Sequence, residues 1–123
     1  MIRTEKVSVT VAGADGSAAG TANSAGIVNG KLVAVYIDFT TQPATADTTL
    51  ATVNAPAKTL LTVTDSATDG WFYPRYIIHS EAAVALTGTA GGDRAQHPIN
   101  DYVKVTVAQG NAGTVDVWFL YEQ

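Results

Sequence analysis

The sequence predicts an all-β fold, a single antiparallel β-sandwich or barrel, jelly-roll-like, with seven to eight short strands. Three observations predict it. Apolar residues recur with a period of two, which places them on one face of a strand. Gly-, Asn-, Asp- and Pro-rich turn signals separate these runs at short intervals. No segment carries the 3.6-residue period of an amphipathic helix.

The first run sets Val7, Val9 and Val11 against Lys6, Ser8 and Thr10, a half-buried strand that Gly13-Ala14-Asp15-Gly16 ends. Residues 17–26 are small and polar and fit either a loop or a close-packed strand. Asn29-Gly30 is a hairpin signal, because both residues tolerate positive φ. Residues 32–39 are β-branched and aromatic with both faces largely apolar, as in a central strand buried on two sides. Residues 40–47, with Pro43, form a loop. Two strands follow at 48–53 and 59–64, joined across Pro56, which has no N–H for a ladder.

Residues 65–70 form a polar turn before Trp71-Phe72-Tyr73-Pro74-Arg75, the densest aromatic cluster, which Tyr76-Ile77-Ile78-His79 continues as a strand. Residues 81–86 could form one helical turn, and the Gly-rich stretch 88–96 reads as a surface loop. Pro98-Ile99-Asn100-Asp101 leads into a strand with Val103, Val105 and Val107 on one face. Gly110-Asn111-Ala112-Gly113 reads as a hairpin turn before a last strand, where Val115, Val117 and Phe119 alternate with Asp116 and Trp118. The chain, 1–123, reads as one domain, with residues 1–12 an N-terminal arm or an edge strand.

Composition narrows the function. The chain is 46% hydrophobic and only 15% charged, with net charge −4, so it is neither disordered nor suited to a polyanion. Nucleic acid is therefore not an expected partner. The longest apolar stretch, residues 32–37, falls far short of the roughly 18 residues of a membrane-spanning helix, so no membrane partner is expected either. There are no cysteines, hence no disulfide framework and no Cys-ligated zinc. The N-terminus lacks the apolar run of a secretory signal peptide, and no lipidation motif is present. A soluble chain this poor in charge is often one whose surface other chains cover.

No catalytic constellation survives inspection, and no enzyme, cofactor or metal site is expected. His79 adjoins Ser80, but neighbouring strand residues point to opposite faces and cannot pair as base and nucleophile. His97 reads as an ordinary loop residue. Asp65-Ser66-Ala67-Thr68-Asp69-Gly70 has Asp at loop positions one and five and Gly at six. Ala67 at position three and Tyr76 at twelve remove the ligands a calcium loop needs. The Gly-rich segment at 88–94 lacks the Gly-Lys-Ser/Thr ending of a phosphate-binding loop. The aromatic run is the informative feature. Three consecutive rings on a strand cannot all enter one core, so Phe72 is expected inward, with Trp71 or Tyr73 outward as interface anchors or sugar-stacking platforms. Arg75 beside them is a typical interface residue.

Gly30-Lys31-Leu32-Val33-Ala34-Val35-Tyr36-Ile37-Asp38, Asp69-Gly70-Trp71-Phe72-Tyr73-Pro74-Arg75, Pro98-Ile99 and Asp101-Tyr102-Val103-Lys104-Val105-Thr106-Val107-Ala108 occur here in that order. Over residues 25–123 this pattern resembles small structural proteins of tailed bacteriophages, several of which are capsid decoration (cement) proteins. Ser80-Glu81-Ala82-Ala83 departs from the Gly-containing turn expected of such proteins. The resemblance implies a β-sandwich or jelly-roll protein, made in the host cytoplasm, that binds the outside of the head. Its partner would be the major capsid protein, it would associate with itself as a homotrimer, and it would stabilise the expanded shell. On this reading Ile2 and Arg3 of the N-terminal strand join Trp71, Tyr73 and Arg75 as interface residues. The alternatives are a carbohydrate-binding or adhesin module on the virion, with Trp71, Tyr73 or Trp118 as its platform, or another head or tail structural protein.

Overall fold

The computed structural model describes residues 1–54, 56–77 and 94–123, and among these there is no helix. Among the described residues eleven strands run in chain order: β1 (Ile2–Val11), β2 (Ala18–Asn23), β3 (Val28–Asp38), β4 (Asp47–Thr52), β5 (Thr59–Val63), β6 (Gly70–Phe72), β7 (Arg75–Ile77), β8 (Arg94–Gln96), β9 (Pro98–Asp101), β10 (Val103–Gly110) and β11 (Gly113–Glu122). One sheet has the order β1-β11-β3-β6, with β9 also on β3, and the other has the order β2-β10-β4-β5. β7 and β8 form a separate two-stranded ribbon.

With β7, β8 and β9 set aside, the eight remaining strands pair first with last, second with second-last, and so inward: β1 with β11, β2 with β10, β3 with β6, β4 with β5. All four pairings are antiparallel. This is a long hairpin ribbon rolled until its two halves face each other, the double Greek key of a jelly roll. The all-β antiparallel sandwich expected from the sequence is what the chain adopts. The three additional strands are short ones, of three or four residues each.

The core lies between the two sheets and follows the period of two. Val7, Val9 and Val11 of β1, Val35 and Ile37 of β3, Leu50 of β4, Val103, Val105 and Val107 of β10, and Val115, Val117 and Phe119 of β11 are all buried. β-Branched residues dominate it, as suits side chains packing from two pleated surfaces.

Four local expectations change, and the open one at residues 17–26 is decided. Asn29-Gly30 is not a turn. It lies inside β3, where residues 28–31 pair with β9 and residues 31–38 pair with β11. Gly30 has φ +154°, and a Cβ there would sit 2.3 Å from the Glu122 carbonyl oxygen. Glycine is needed for a bend at which one strand changes partners. Residues 110–113 do not form a hairpin either, because β10 and β11 belong to opposite sheets. The corner is clasped by the buried Gln42 amide, which donates to the Asn111 carbonyl (2.9 Å) and accepts from the Asn111 N–H (2.9 Å). Residues 18–23 form a strand, and residues 94–96 leave the expected loop to pair with β7. Tyr73-Pro74 also breaks the single strand expected through the aromatic run, and Pro74 is buried at that corner. His79, Ser80, Ile78, residues 81–86 and most of the Gly-rich stretch lie outside the described residues.

Candidate interaction face

The register of the first sheet decides which side chains meet on its outer face. Lys6 of β1 lies opposite Trp118 of β11, Trp118 opposite Tyr36 of β3, and Tyr36 opposite Trp71 of β6. One row therefore crosses four strands with Lys, Trp, Tyr and Trp. The Tyr36 ring centroid is 5.2 Å from that of Trp71 and 5.9 Å from that of Trp118, with interplanar angles of 59° and 55°. These are tilted contacts of the kind aromatic quadrupoles favour. The Lys6 ammonium lies 4.9 Å from the Trp118 ring centroid and 3.8 Å from the Asp116 carboxylate, so its charge is drawn along the sheet surface.

The neighbouring row is Thr4, Leu120 and Ala34. Between the two rows is a shallow hollow of about 390 Å³ lined by Thr4, Tyr36, Trp71, Trp118 and Leu120. Its lining is mostly apolar, the polar groups of these residues being the Thr4 and Tyr36 hydroxyls and the two indole N–H groups. Trp71 is 51% exposed and Tyr73 63% exposed, while Phe72 between them packs against the core. Alternation along β6 accounts for this: one ring turns inward and its neighbours cannot follow.

The residues singled out from the sequence fall at two places. Trp71 belongs to the aromatic row, and Tyr73 follows it at the end of β6. Arg75 is partly buried, and its Nη1 donates to the carbonyls of Val33 (3.1 Å) and Pro74 (2.8 Å). Val33 is the extra residue at a β3 bulge, since Leu32 pairs with Tyr121 and Ala34 with Leu120. Arg75 thus ties the corner after β6 to β3. Ile2 and Arg3 lie on the other side of the sheet, on β1, with β11 and β3 between them and Trp71. Ile2 is 57% exposed, and the Arg3 Nε donates to the Gln123 side-chain oxygen at 2.6 Å. Sequence reasoning missed Tyr36 and Lys6 as members of the face. Only the pairing register brings them to the two tryptophans, and no local pattern encodes it.

A second polar region surrounds β7, β8 and β9. Lys31, Arg75, Tyr76, Arg94, Gln96 and Pro98 line a hollow of about 420 Å³, with Lys58 5.8 Å from the Tyr76 ring centroid. His97 is buried here rather than lying in an exposed loop. Its ring is 5.5 Å from that of Tyr76, and its Nδ1 has no hydrogen-bond partner. Burial, and then the positive charges of Lys58 and Arg75, hold its pKa below the ordinary 6.5. As pH falls through 6.5 the unfolded chain takes up a proton at His97 that the folded chain resists, so stability is expected to fall with pH in that window. Above 6.5 both states are neutral at this residue and the contribution is flat. Urea midpoints measured across this range should show the slope, and His97→Phe should flatten it. An unchanged slope in that variant would remove His97 as its cause.

At the edge of this region Asp101 accepts from the Asn54 N–H (2.7 Å), the Asn54 side-chain amide (2.6 Å) and the Tyr102 N–H (2.7 Å). Desolvation, the largest single influence, pushes its pKa up, but the hydrogen bonds together outweigh it and hold the carboxyl below its ordinary value. Among the described residues no three His, Asp or Glu side chains gather as a metal site would require. Asp69 caps the Phe39 N–H at 2.8 Å, a structural use of an acid from the turn that faintly resembles a calcium loop. The tilted aromatic row, partly open to solvent with Lys6 at its end and Asp116 and Asp38 in the row beside it, is the feature best suited to bind something. No protein-family model, no curated protein and no solved structure matches this chain.

Proposed function

We propose that this chain is a capsid decoration protein of a tailed bacteriophage, binding the outside of the head and stabilising the expanded shell without catalysis. The observation that carries the reading is the Trp118–Tyr36–Trp71 row with its exposed neighbour Tyr73. Large rings over a shallow apolar hollow, with Lys6, Asp116 and Asp38 beside them, are the apolar centre and polar border of a protein-binding hot spot. The resemblance of the segment order to small phage structural proteins also supports this reading. A protein that binds only the expanded shell shifts the equilibrium toward it by mass action, and repetition over a symmetric surface multiplies a modest contact.

A carbohydrate-binding module is the competing reading, and exposed Trp71 and Tyr73 are what favour it. Ring planes inclined at 59° and 55° do not make a flat platform for a sugar face, and the hollow offers few hydroxyls to orient one. The protein-contact reading is therefore better supported.

The test is co-sedimentation of the purified chain with expanded heads and with procapsids of its phage. Saturable binding to expanded heads, and little to procapsids, is expected. Trp71→Ala is expected to weaken that binding by about thirtyfold, the effect of an interface hot spot of ~2 kcal/mol, while the far-ultraviolet spectrum stays unchanged. Binding to neither shell, or equal binding by the variant, would overturn the proposal.

A further inference from the structure

Among the described residues β1 is an edge strand whose outer side is largely unpaired, and its hydrogen-bond phase follows from the contacts at its two ends. The Gln123 N–H donates to the Met1 carbonyl (3.0 Å), and the Met1 amino group donates to the Gln123 carbonyl (3.3 Å). Alternate residues of an antiparallel strand bond to the same neighbour, so the odd-numbered residues of β1 bond to β11. The even-numbered ones point their N–H and C=O groups away from the sheet. Ala12 confirms the phase, because it exchanges both backbone bonds with Ala19 at the start of β2 (3.1 and 3.0 Å). Towards the N-terminus, Ile2, Thr4, Lys6 and Ser8 are left presenting backbone donors and acceptors with no partner strand among the described residues. All but Lys6 carry uncharged side chains, and Lys6 is held over Trp118 and beside Asp116. The charges left on this edge are Arg3 and Glu5, which are of opposite sign.

We infer that this edge pairs with the same edge of a second copy, antiparallel, about a two-fold axis through Thr4. Charge selects the register. Pairing must set even-numbered residues against even-numbered ones, since only these carry outward-facing backbone groups. An axis through Arg3, Glu5 or Lys6 sets an identical charge directly opposite itself. An axis through Thr4 sets Arg3 opposite the partner's Glu5 and Glu5 opposite the partner's Arg3, both at non-hydrogen-bonded positions where facing side chains lie closest. The same register sets the exposed Ile2 against the aliphatic stem of the partner's Lys6. Arg3 already gives its Nε to Gln123 and keeps the rest of its fork, while the Glu5 carboxylate has no hydrogen bond or ion pair among the described residues. Two sheets would then join into one continuous surface carrying both aromatic rows. This inference does not rest on the decoration reading.

Sedimentation velocity of the full chain over a range of concentrations tests it. A dimer is expected. Arg3→Glu and Glu5→Arg should each raise the concentration at half-dissociation by about tenfold, because facing charges become alike twice per dimer. The double variant, which exchanges the two charges, should restore it. Thr4→Pro removes an outward N–H and costs no bond within the subunit, so it should give folded monomer. Monomer at every concentration overturns the inference. So does an oligomer, whether a dimer or the trimer implied by the phage resemblance, that ignores the single reversals. A double variant no tighter than the single ones overturns the register.

Discussion

Phe119→Ala is expected to destabilise the fold by about 3–5 kcal/mol, read as a lowered midpoint in urea or guanidinium unfolding. Phe119 is fully buried on β11, the strand that lies between β1 and β3, opposite Glu5 on one side and Val35 on the other. Its removal opens a cavity where the two sheets face each other. A domain of this size commonly has about 5–15 kcal/mol of stability, so the variant should lose roughly a fifth of it or more. Trp118, the preceding residue, is the control. It is only half-buried on the opposite face and touches Tyr36 and Lys6, so Trp118→Ala should cost about 1 kcal/mol. If the tryptophan variant proved the less stable of the two, the assignment of inner and outer faces would be wrong.

Gly30→Ala is expected to cost about 2–4 kcal/mol although it adds a single methyl group. Two effects combine. The backbone has φ +154°, which side-chain-bearing residues avoid, and the new Cβ would be placed 2.3 Å from the Glu122 carbonyl oxygen. That oxygen belongs to the paired end of β11, so relief requires β3 and β11 to part where β3 exchanges one partner for another. Gly113 separates the contributions. Its φ is +151°, but its nearest neighbour would be the Thr41 hydroxyl oxygen at 3.2 Å, so Gly113→Ala should cost less. Gly26 has an ordinary φ, and a Cβ there would meet nothing within 4 Å, so its Ala variant should lie within about 0.5 kcal/mol of the parent. The order Gly30, Gly113, Gly26 in loss of unfolding free energy is the check.

These two sites also show what the sequence could convey. The faces of β1, β10 and β11 follow from alternation alone, because a period of two is a property of each strand by itself and survives any choice of neighbours. The Val103–Val105–Val107 and Val115–Val117–Phe119 runs are buried as expected. Gly30 illustrates the opposite case. A glycine after asparagine satisfies a hairpin turn and a mid-strand bend equally well, and only the approach of Glu122, distant in the chain, decides between them. The 110–113 turn has the composition of a hairpin, yet its flanking strands enter different sheets because Gln42 clasps the corner from another loop. The interaction face was half legible. The crowding of rings at 71–73 forces some outward, but Tyr36 and Lys6 join Trp71 and Trp118 only through a pairing register that spans more than a hundred residues of chain.

The rolled ribbon has a consequence for how the chain is made. Each sheet has a central strand from the C-terminal end of the ribbon: β10 between β2 and β4, β11 between β1 and β3. While these are still inside the ribosome, the strands already translated have apolar faces and no neighbours to close either sheet. Folding of this unit is therefore expected to await release of β11, and to be slow for its size because so many pairings join distant residues. During that interval the valine-rich nascent strands are open to aggregation. Ribosome-stalled chains ending before residue 113 should be digested by protease as readily as unfolded polypeptide.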